Sequence, residues 1–175
     1  DKFLKANAIV KPAIIGHSFG GRIALKYAFK YPQRANKIVL AGAPIIRSRV
    51  FKRKISFIVT IIGGQLFRFL PKATKDFLRK LLYFLIREWD YYNAGPLKQV
   101  LKNIISEDLV FYAKNVKVPV LLVWGENDKV VPVSDMKKIA KIIPRASVSV
   151  IKDAGHKLPY EKPEAFVKAI RPFLH

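Results

Sequence analysis

The sequence predicts an α/β fold in which a mostly parallel sheet is flanked by helices. Two observations support this prediction: several short apolar runs lack polar alternation, and helical patterns lie between and after them. Apolar runs of this kind are typical of strands that are buried on both faces of a parallel sheet. Alternation of strand and helix then indicates right-handed crossovers between neighbouring parallel strands.

Four apolar runs are the predicted strands. Each is short, rich in aliphatic residues and separated from the next by a helical pattern or a long segment. They are Ala13–Ile15, Ile38–Leu40, Val120–Trp124 and Val148–Ile151. We expect all four to pair in one parallel sheet.

Three helices are predicted around these strands. The first covers Phe19–Tyr31, where Ile23 and Tyr27 recur at helical spacing and a proline follows. The second covers Val133–Ile143 and stops before another proline. The third covers Pro163–Leu174 and begins with proline, whose missing N–H costs nothing in a first helical turn.

One long segment breaks the alternation of strand and helix. Between residues 45 and 116 no strand-like run is bounded by turns, and an insertion of this length is not a plain loop. It carries helical patterns at roughly Arg49–Phe69, Lys72–Trp89 and Leu97–Lys114. We therefore predict a helical cap at residues 45–116, inserted into a core formed by residues 1–44 and 117–175.

Composition excludes several kinds of site. The chain has no cysteine, which rules out disulfides, cysteine metal sites and a cysteine nucleophile. Its 3 histidines are too scattered for a zinc site, and it has no nucleotide-binding motif, so we expect no metal and no cofactor. The longest apolar stretch, Ile55–Leu66, is too short to span a membrane. No signal peptide is visible, and a cytoplasmic location is expected.

Basic residues outnumber acidic ones by 33 to 12, a net charge of +21. Such a charge attracts nucleic acid, anionic lipid or an acidic substrate. It is spread along the chain without a nucleic-acid-binding motif, so we expect no nucleic-acid partner and favour a solvated surface. The predicted cap is strongly basic: an amphipathic lid over the site is favoured, and peripheral contact with anionic lipid is the alternative.

One motif indicates chemistry. The segment Gly16-His17-Ser18-Phe19-Gly20 contains G-x-S-x-G between a predicted strand and a predicted helix, as a nucleophile elbow requires. The tight turn strains the serine backbone, and glycines two residues away on each side avoid clashes. The hydroxyl then lies at a helix N-terminus, where backbone N–H groups stabilise an oxyanion. We predict Ser18 as the nucleophile and the Phe19 N–H as an oxyanion-hole donor.

A serine nucleophile needs a base, and the base needs an acid that orients it. His156 follows the strand Val148–Ile151, and Asp128 follows the strand Val120–Trp124. Both should therefore lie with Ser18 at the carboxyl edge of the sheet, in the expected chain order of serine, acid and histidine. A plain turn role for the aspartate and a surface role for the histidine are the alternatives.

Two further residues are candidates for contact with substrate. His17 lies inside the serine motif and is interpreted as a packing residue or a wall of the site. Trp89 lies in the predicted cap, where an aromatic side chain either lines a substrate pocket or packs the lid.

With these motifs the sequence resembles the α/β-hydrolase superfamily, especially its capped, cofactor-free serine esterase-like members. The resemblance rests on Gly16–Gly21, on Trp124–Asp128, and on Gly155-His156 followed by Glu161-Lys162-Pro163. It implies that the serine is the nucleophile, the histidine the general base and then acid, and the aspartate the orienting acid. It also implies strands ahead of the elbow and a second oxyanion donor. Because only a short helix end precedes Ala13, we expect the chain to lack those strands.

The expected function is hydrolysis of a carboxylic ester or related acyl bond of a small molecule, through an acyl-serine intermediate. Acyl transfer, hydrolysis of a C–C bond and a peroxidase-like reaction use the same triad and are alternatives. A non-catalytic binding protein that docks through a basic cap is an alternative of a different class.

Overall fold

The computed structural model describes residues 2–46, 71–74 and 107–175. The chain divides into two compact units, one formed by Asp1–Ile46 with Asp108–His175 and the other by Arg47–Glu107. Nearly all of the predicted cap helices lie outside the described residues, so the helical cap stays a prediction. The description below concerns the first unit.

Four strands form one parallel sheet in the described residues. They are β1 (Ala13–His17), β2 (Lys37–Ala41), β3 (Val120–Gly125) and β4 (Ala146–Ile151). They lie in the order β1-β2-β3-β4, and each pairs in parallel with the next. All four predicted strands are present, each slightly longer than its apolar run, and the predicted α/β class with a parallel sheet is confirmed.

Helices connect and flank these strands. They are α1 (Lys2–Ala6), α2 (Phe19–Lys30), α3 (Val110–Asn115), α4 (Val133–Ile142), α5 (Leu158–Glu161) and α6 (Pro163–Leu174). The three helices that the sequence predicts in this unit correspond to α2, α4 and α6, with ends within one residue of the predicted ends. Within the described ranges, no helix combines the length and apolarity needed to cross a membrane.

The core lies on both faces of the sheet because alternate residues of each central strand point in opposite directions. Ile38 and Leu40 of β2 pack on one face with Leu25 and Ile139, from α2 and α4. On the other face Val39 and Ala41 pack with residues of α6. This double cover buries all of β3 and all of β2 except its first residue, Lys37.

The prediction that all four strands are buried is wrong for β1 and β4. Ile15 of β1 and Val148 of β4 are each 47% exposed. In the described part of the sheet, both strands are at an edge and have a neighbour on one side only. In β4, Ser147 and Ser149 alternate with valine, and Ser149 lies within the predicted run itself, so the expectation that the runs lack polar alternation is also wrong for this strand.

Helix α2 packs on the sheet through a face of small residues. Its buried residues include Ala24 and Leu25, whereas Ile23, which marks the helical spacing in the sequence, is 54% exposed. A Cβ on Gly21 would lie 2.5 Å from the Cβ of Ala43. The absence of a side chain at Gly21 therefore lets the helix approach the segment after β2 closely.

The two ends of the segment that leaves this unit are adjacent. The Leu109 N–H donates a hydrogen bond to the Ile45 carbonyl at 3.1 Å. The predicted boundaries at residues 45 and 116 differ from those of the compact units, because α3 belongs to the unit that contains the sheet.

Opposite faces of α2 should respond differently to truncation. Leu25→Ala should lower the free energy of unfolding by about 2–5 kcal/mol, because the leucine is fully buried and its removal leaves a cavity. Ile23→Ala, on the exposed face of the same helix, should change the free energy of unfolding by less than about 0.5 kcal/mol. Chemical denaturation of both variants in the intact protein measures this difference, and equal losses would contradict the packing described.

Candidate active site

Ser18 occupies a strained turn between β1 and α2. Its backbone angles are φ 52° and ψ −116°, a combination that residues with a side chain rarely adopt. Such a conformation costs about 1–3 kcal/mol and persists only where the surroundings impose it. The Ser18 N–H donates to the Ala41 carbonyl at 2.8 Å, which ties the turn to the end of β2. The hydroxyl is thereby held at the carboxyl edge of the sheet.

The two motif glycines do not have the same steric role. A Cβ on Gly16 would lie 2.5 Å from the Gly20 carbonyl oxygen and 2.6 Å from the Gly21 nitrogen. A Cβ on Gly20 would meet no heavy atom of the described residues within 4 Å. The expectation that both glycines avoid a side-chain clash is therefore wrong for Gly20. The turn presses the Gly16 position against backbone atoms of the helix, while the Gly20 position faces open space.

Asp128 is the buried acid of the site. It follows β3 in a turn closed by a hydrogen bond from its N–H to the Gly125 carbonyl at 3.2 Å. Its Oδ1 accepts hydrogen bonds from the N–H groups of Val130 and Val131, both at 2.8 Å. Its Oδ2 lies 2.9 Å from Nδ1 of His156. With both oxygens occupied and the side chain fully buried, the carboxylate has a single orientation.

His156 links the acid to the serine. Its Nδ1 donates to Asp128, which leaves Nε2 as the acceptor of the Ser18 hydroxyl, 3.0 Å away. The histidine side chain is 17% exposed, so it is largely shielded from water. The structure therefore brings Ser18, His156 and Asp128 together in one hydrogen-bonded chain, and the aspartate also shapes its own turn.

The other nearby carboxylates do not reach the histidine. Asp135 lies in α4 and pairs with Lys138 at 3.0 Å. Asp153 lies on the histidine loop with an exposed side chain, and its N–H approaches Glu126 at 3.4 Å.

Trp124 and Gly125 hold the acid loop in place. The fully buried Trp124 indole donates to the Val131 carbonyl at 2.8 Å, so the residue that donates to Asp128 is itself fixed. A Cβ on Gly125 would lie only 2.2 Å from the Gly155 carbonyl oxygen. Only glycine allows the acid loop to approach the histidine loop this closely. Both residues belong to the Trp124–Asp128 motif, but nothing in the sequence indicates these contacts, which join segments that are apart in the chain.

Glu161 fixes the histidine loop from the other side. Its carboxylate accepts a hydrogen bond from the Gly155 N–H, directly before His156. The Asn127 N–H donates to the Ala154 carbonyl at 2.9 Å, which joins the two loops further. The position of the histidine thus depends on backbone contacts as well as on its ring.

Gly42 is a site residue that sequence analysis missed. It follows β2 with a φ of 54°, and a Cβ there would lie 3.3 Å from both Asp128 Oδ2 and His156 Nδ1. A side chain at this position would press on the acid–histidine pair. The only signal in the sequence is a glycine at the end of a predicted strand, which is too common to indicate this role.

His17 packs against His156. Its Nε2 donates to the His156 carbonyl at 2.7 Å, and the two rings lie 5.3 Å apart. Tyr160 meets the His17 ring edge-on at 6.2 Å. These contacts favour the packing interpretation. Contact of His17 with substrate stays a prediction, and Trp89 lies outside the described residues.

The Phe19 N–H, predicted as an oxyanion-hole donor, belongs to the first turn of α2. Phe19 is the first residue of α2, and the first N–H groups of a helix have no intrahelical acceptor. The N–H lies directly after the serine, at the positive end of the helix dipole. This geometry is compatible with donation to an oxyanion.

Comparison with known proteins identifies a family and several relatives of this chain. A family model described as "Alpha/beta hydrolase family" matches residues 3–169. The chain is 27% identical over 188 residues to a 2-hydroxy-6-oxononadienedioate/2-hydroxy-6-oxononatrienedioate hydrolase from Comamonas testosteroni, covering 95% of this chain and 63% of that protein. It is also 27% identical over 158 residues to Lipase 1 from Psychrobacter immobilis, covering 81% and 48%. The chain thus spans roughly half to two-thirds of these relatives.

A solved structure shows the same fold. An esterase from Exiguobacterium antarcticum superposes with a TM-score of 0.70 at 19% identity, covering 98% of this chain and 69% of the esterase. At this identity the likeness concerns the fold.

Substitution at His17 separates packing from substrate contact. His17→Phe keeps a ring beside His156 but loses the donor, which leaves a carbonyl unpaired at a cost of about 1 kcal/mol. We expect kcat to fall about 5- to 10-fold with KM unchanged, and His17→Gln, which restores a donor, to recover most of the loss. A rise in KM with constant kcat would instead indicate contact with substrate.

Alanine at the two motif glycines should give opposite results. Gly16→Ala should destabilise the protein by about 1–3 kcal/mol or prevent folding, because the clash is with backbone atoms that cannot move aside. Gly20→Ala should leave the free energy of unfolding within about 1 kcal/mol of the wild type. Thermal unfolding of the two variants provides the measurement, and similar destabilisation would show that Gly20 is also crowded.

Proposed function

This chain belongs to the alpha/beta hydrolase family, and from that premise we propose that it hydrolyses a carboxylic ester or related acyl bond of a small molecule. One observation carries the proposal: the hydrogen-bonded chain from Ser18 Oγ through His156 to Asp128, with distances of 3.0 and 2.9 Å. In this proposal the serine is the nucleophile, the histidine the general base and the aspartate the orienting acid.

The first step follows from the geometry of the histidine. As Ser18 Oγ attacks the carbonyl carbon, its proton passes to Nε2 of His156. The resulting imidazolium faces the buried Asp128 carboxylate, which stabilises the positive charge and keeps the ring in place. The same Nε2 then donates the proton to the leaving alkoxide, which gives an acyl-serine. Water, activated by the same nitrogen, releases the acid and regenerates the serine.

Charge on the tetrahedral intermediate develops near the start of α2. The Phe19 N–H is the proposed donor from this unit, since it follows the serine directly and has no helical acceptor. A donor of this kind contributes a factor of about 10²–10³ to the rate. The strained Ser18 backbone supports the proposal, because it holds the oxyanion donor and the hydroxyl in one rigid turn.

Hydrolysis of a C–C bond is the second candidate. It is favoured by the 27% identity to the Comamonas testosteroni protein, whose name describes a hydrolase of an oxo-dienedioate. The same serine would attack a ketone carbonyl, and the bond to the neighbouring carbon would break in place of a C–O bond. The electron pair of that bond would stay on the departing carbon, which would take the serine proton from Nε2 of His156. The described residues are compatible with both leaving groups, because the serine and the oxyanion donor act on the carbonyl in either case and Nε2 of His156 can protonate either leaving group.

The nucleophile can be tested in the intact protein. Ser18→Ala should reduce hydrolysis of a short p-nitrophenyl ester by about 10³-fold or more and should abolish labelling by a fluorophosphonate probe. Ser147→Ala, at an exposed serine on β4, is the matched control and should change neither. Circular dichroism of both variants verifies folding.

Three outcomes decide between the alternatives. Full labelling of Ser18→Ala would contradict the assignment of the nucleophile. Labelling of the wild type without turnover of esters, but with turnover of a ring-cleavage dienoate, would favour the C–C hydrolase. Absence of both labelling and turnover would favour a binding protein.

A further inference from the structure

Acidic residues are segregated along the strand direction in the described residues, whereas basic residues lie at both ends of the strands. All strands are parallel, so their carboxyl ends form one edge of the sheet, here termed the catalytic edge, and their amino ends form the other, termed the amino edge. Every described acidic residue lies in a loop at the catalytic edge or in the first turn of a helix that starts there. These residues are Glu107, Asp108, Glu126, Asp128, Asp135, Asp153, Glu161 and Glu164.

The amino edge carries a group of cations on neighbouring segments. Lys114 lies in the last turn of α3 and Lys141 in the last turn of α4. Lys117 and Arg145 lie in the segments that enter β3 and β4. The two strands are neighbours, and the Val120 N–H donates to the Arg145 carbonyl at 3.0 Å. We call these four exposed residues, Lys114, Lys117, Lys141 and Arg145, the basic patch.

The helix dipole accounts for only part of this patch. A lysine in a last helical turn compensates about half a negative charge, which explains Lys114 and Lys141. Lys117 and Arg145 lie beyond the helices. Over the described part of the chain, none of the four forms an ion pair, whereas Lys138 pairs with Asp135. Four like charges held together repel one another, so this edge is suited to an external polyanion.

Aliphatic side chains on the same edge indicate which polyanion. Val10 is 88% exposed and Ile9 is also exposed, and both precede Lys11 at the entry to β1. The Asn36 N–H donates to the Pro12 carbonyl at 2.9 Å, which holds this entry beside the start of β2. Exposed aliphatic groups next to lysine gain free energy at a lipid interface. Binding to single-stranded nucleic acid relies instead on aromatic stacking, and the exposed phenylalanines Phe3 and Phe111 lie in α1 and α3, outside the segments that enter the strands.

We propose that the amino edge docks on an anionic lipid bilayer, with the basic patch against the headgroups and Val10 in the interface. Each basic residue near an anionic surface strengthens attraction, and four together account for about 10²–10³ in the partition coefficient. In this orientation the catalytic edge faces the aqueous phase. This docking is independent of the proposed hydrolase activity.

Vesicle binding tests the proposal in the intact protein. The patch variant combines Lys114→Gln, Lys117→Gln, Lys141→Gln and Arg145→Gln. The control variant combines Lys129→Gln, Lys152→Gln, Lys162→Gln and Lys168→Gln, which removes the same charge from exposed positions outside the patch. Sedimentation with phosphatidylcholine vesicles, with and without phosphatidylglycerol, measures the partition coefficient of each.

The wild type should bind only the vesicles with phosphatidylglycerol, and added salt should weaken binding. The partition coefficient of the patch variant should fall by about 10²–10³-fold, and that of the control variant by less than about tenfold. Val10→Ser should bind these vesicles measurably less than the wild type does. Equal losses in the two fourfold variants would overturn the proposal, as would tighter binding of the wild type to single-stranded RNA than to vesicles.

Hydrolysis of a soluble ester by the same variants separates this proposal from the proposed function. The patch variant should keep wild-type ester turnover, since its substitutions lie at the edge opposite the triad. Vesicle binding without ester turnover in the wild type would leave docking standing and contradict the hydrolase. Ester turnover without vesicle binding would support the hydrolase and contradict the docking.

Discussion

The buried carboxylate of Asp128 is the interaction on which the site depends. A fully desolvated negative charge is costly unless donors surround it, and here two backbone N–H groups and one imidazole do so. These three hydrogen bonds to the Asp128 carboxylate fix the turn after β3 and the ring of His156. Removing any donor leaves a buried charge short of a partner, so the acid and the histidine loop are stable only together.

The sheet supplies the frame for this requirement. Four loops, one after each strand, converge at the catalytic edge. Backbone contacts exclude a side chain at Gly16 and Gly125, and the side chains of the acid and the histidine crowd the position of Gly42. The Ser18 strain is sustained by the hydrogen bond to Ala41 and by the packing of α2 on the sheet. Rigidity at the site is therefore a property of the backbone as much as of the catalytic side chains.

Sequence reasoning predicts what is local in the chain. The strands, three helices and the serine turn follow from apolar runs, prolines and one motif, and the strand order brings the acid and histidine to the serine. It misses the features that depend on contact between segments far apart in the chain. Gly42 and Gly125 matter because another loop lies against them, and the His17 bond joins residues far apart in the chain. The exposure of β1 and β4 depends on strand order, which no single strand encodes.

The hydrogen bond between Leu109 and Ile45 has a consequence for how this fold can change. The segment between these residues leaves and re-enters the sheet-bearing unit at neighbouring positions. The hydrogen bond holds those two positions together whatever the length of the segment between them. The entropy of closing a loop rises only slowly with its length, which makes such a segment tolerant of insertion and exchange. Selection can therefore rework the residues between these two points as a module and leave the strained turn and the buried carboxylate untouched.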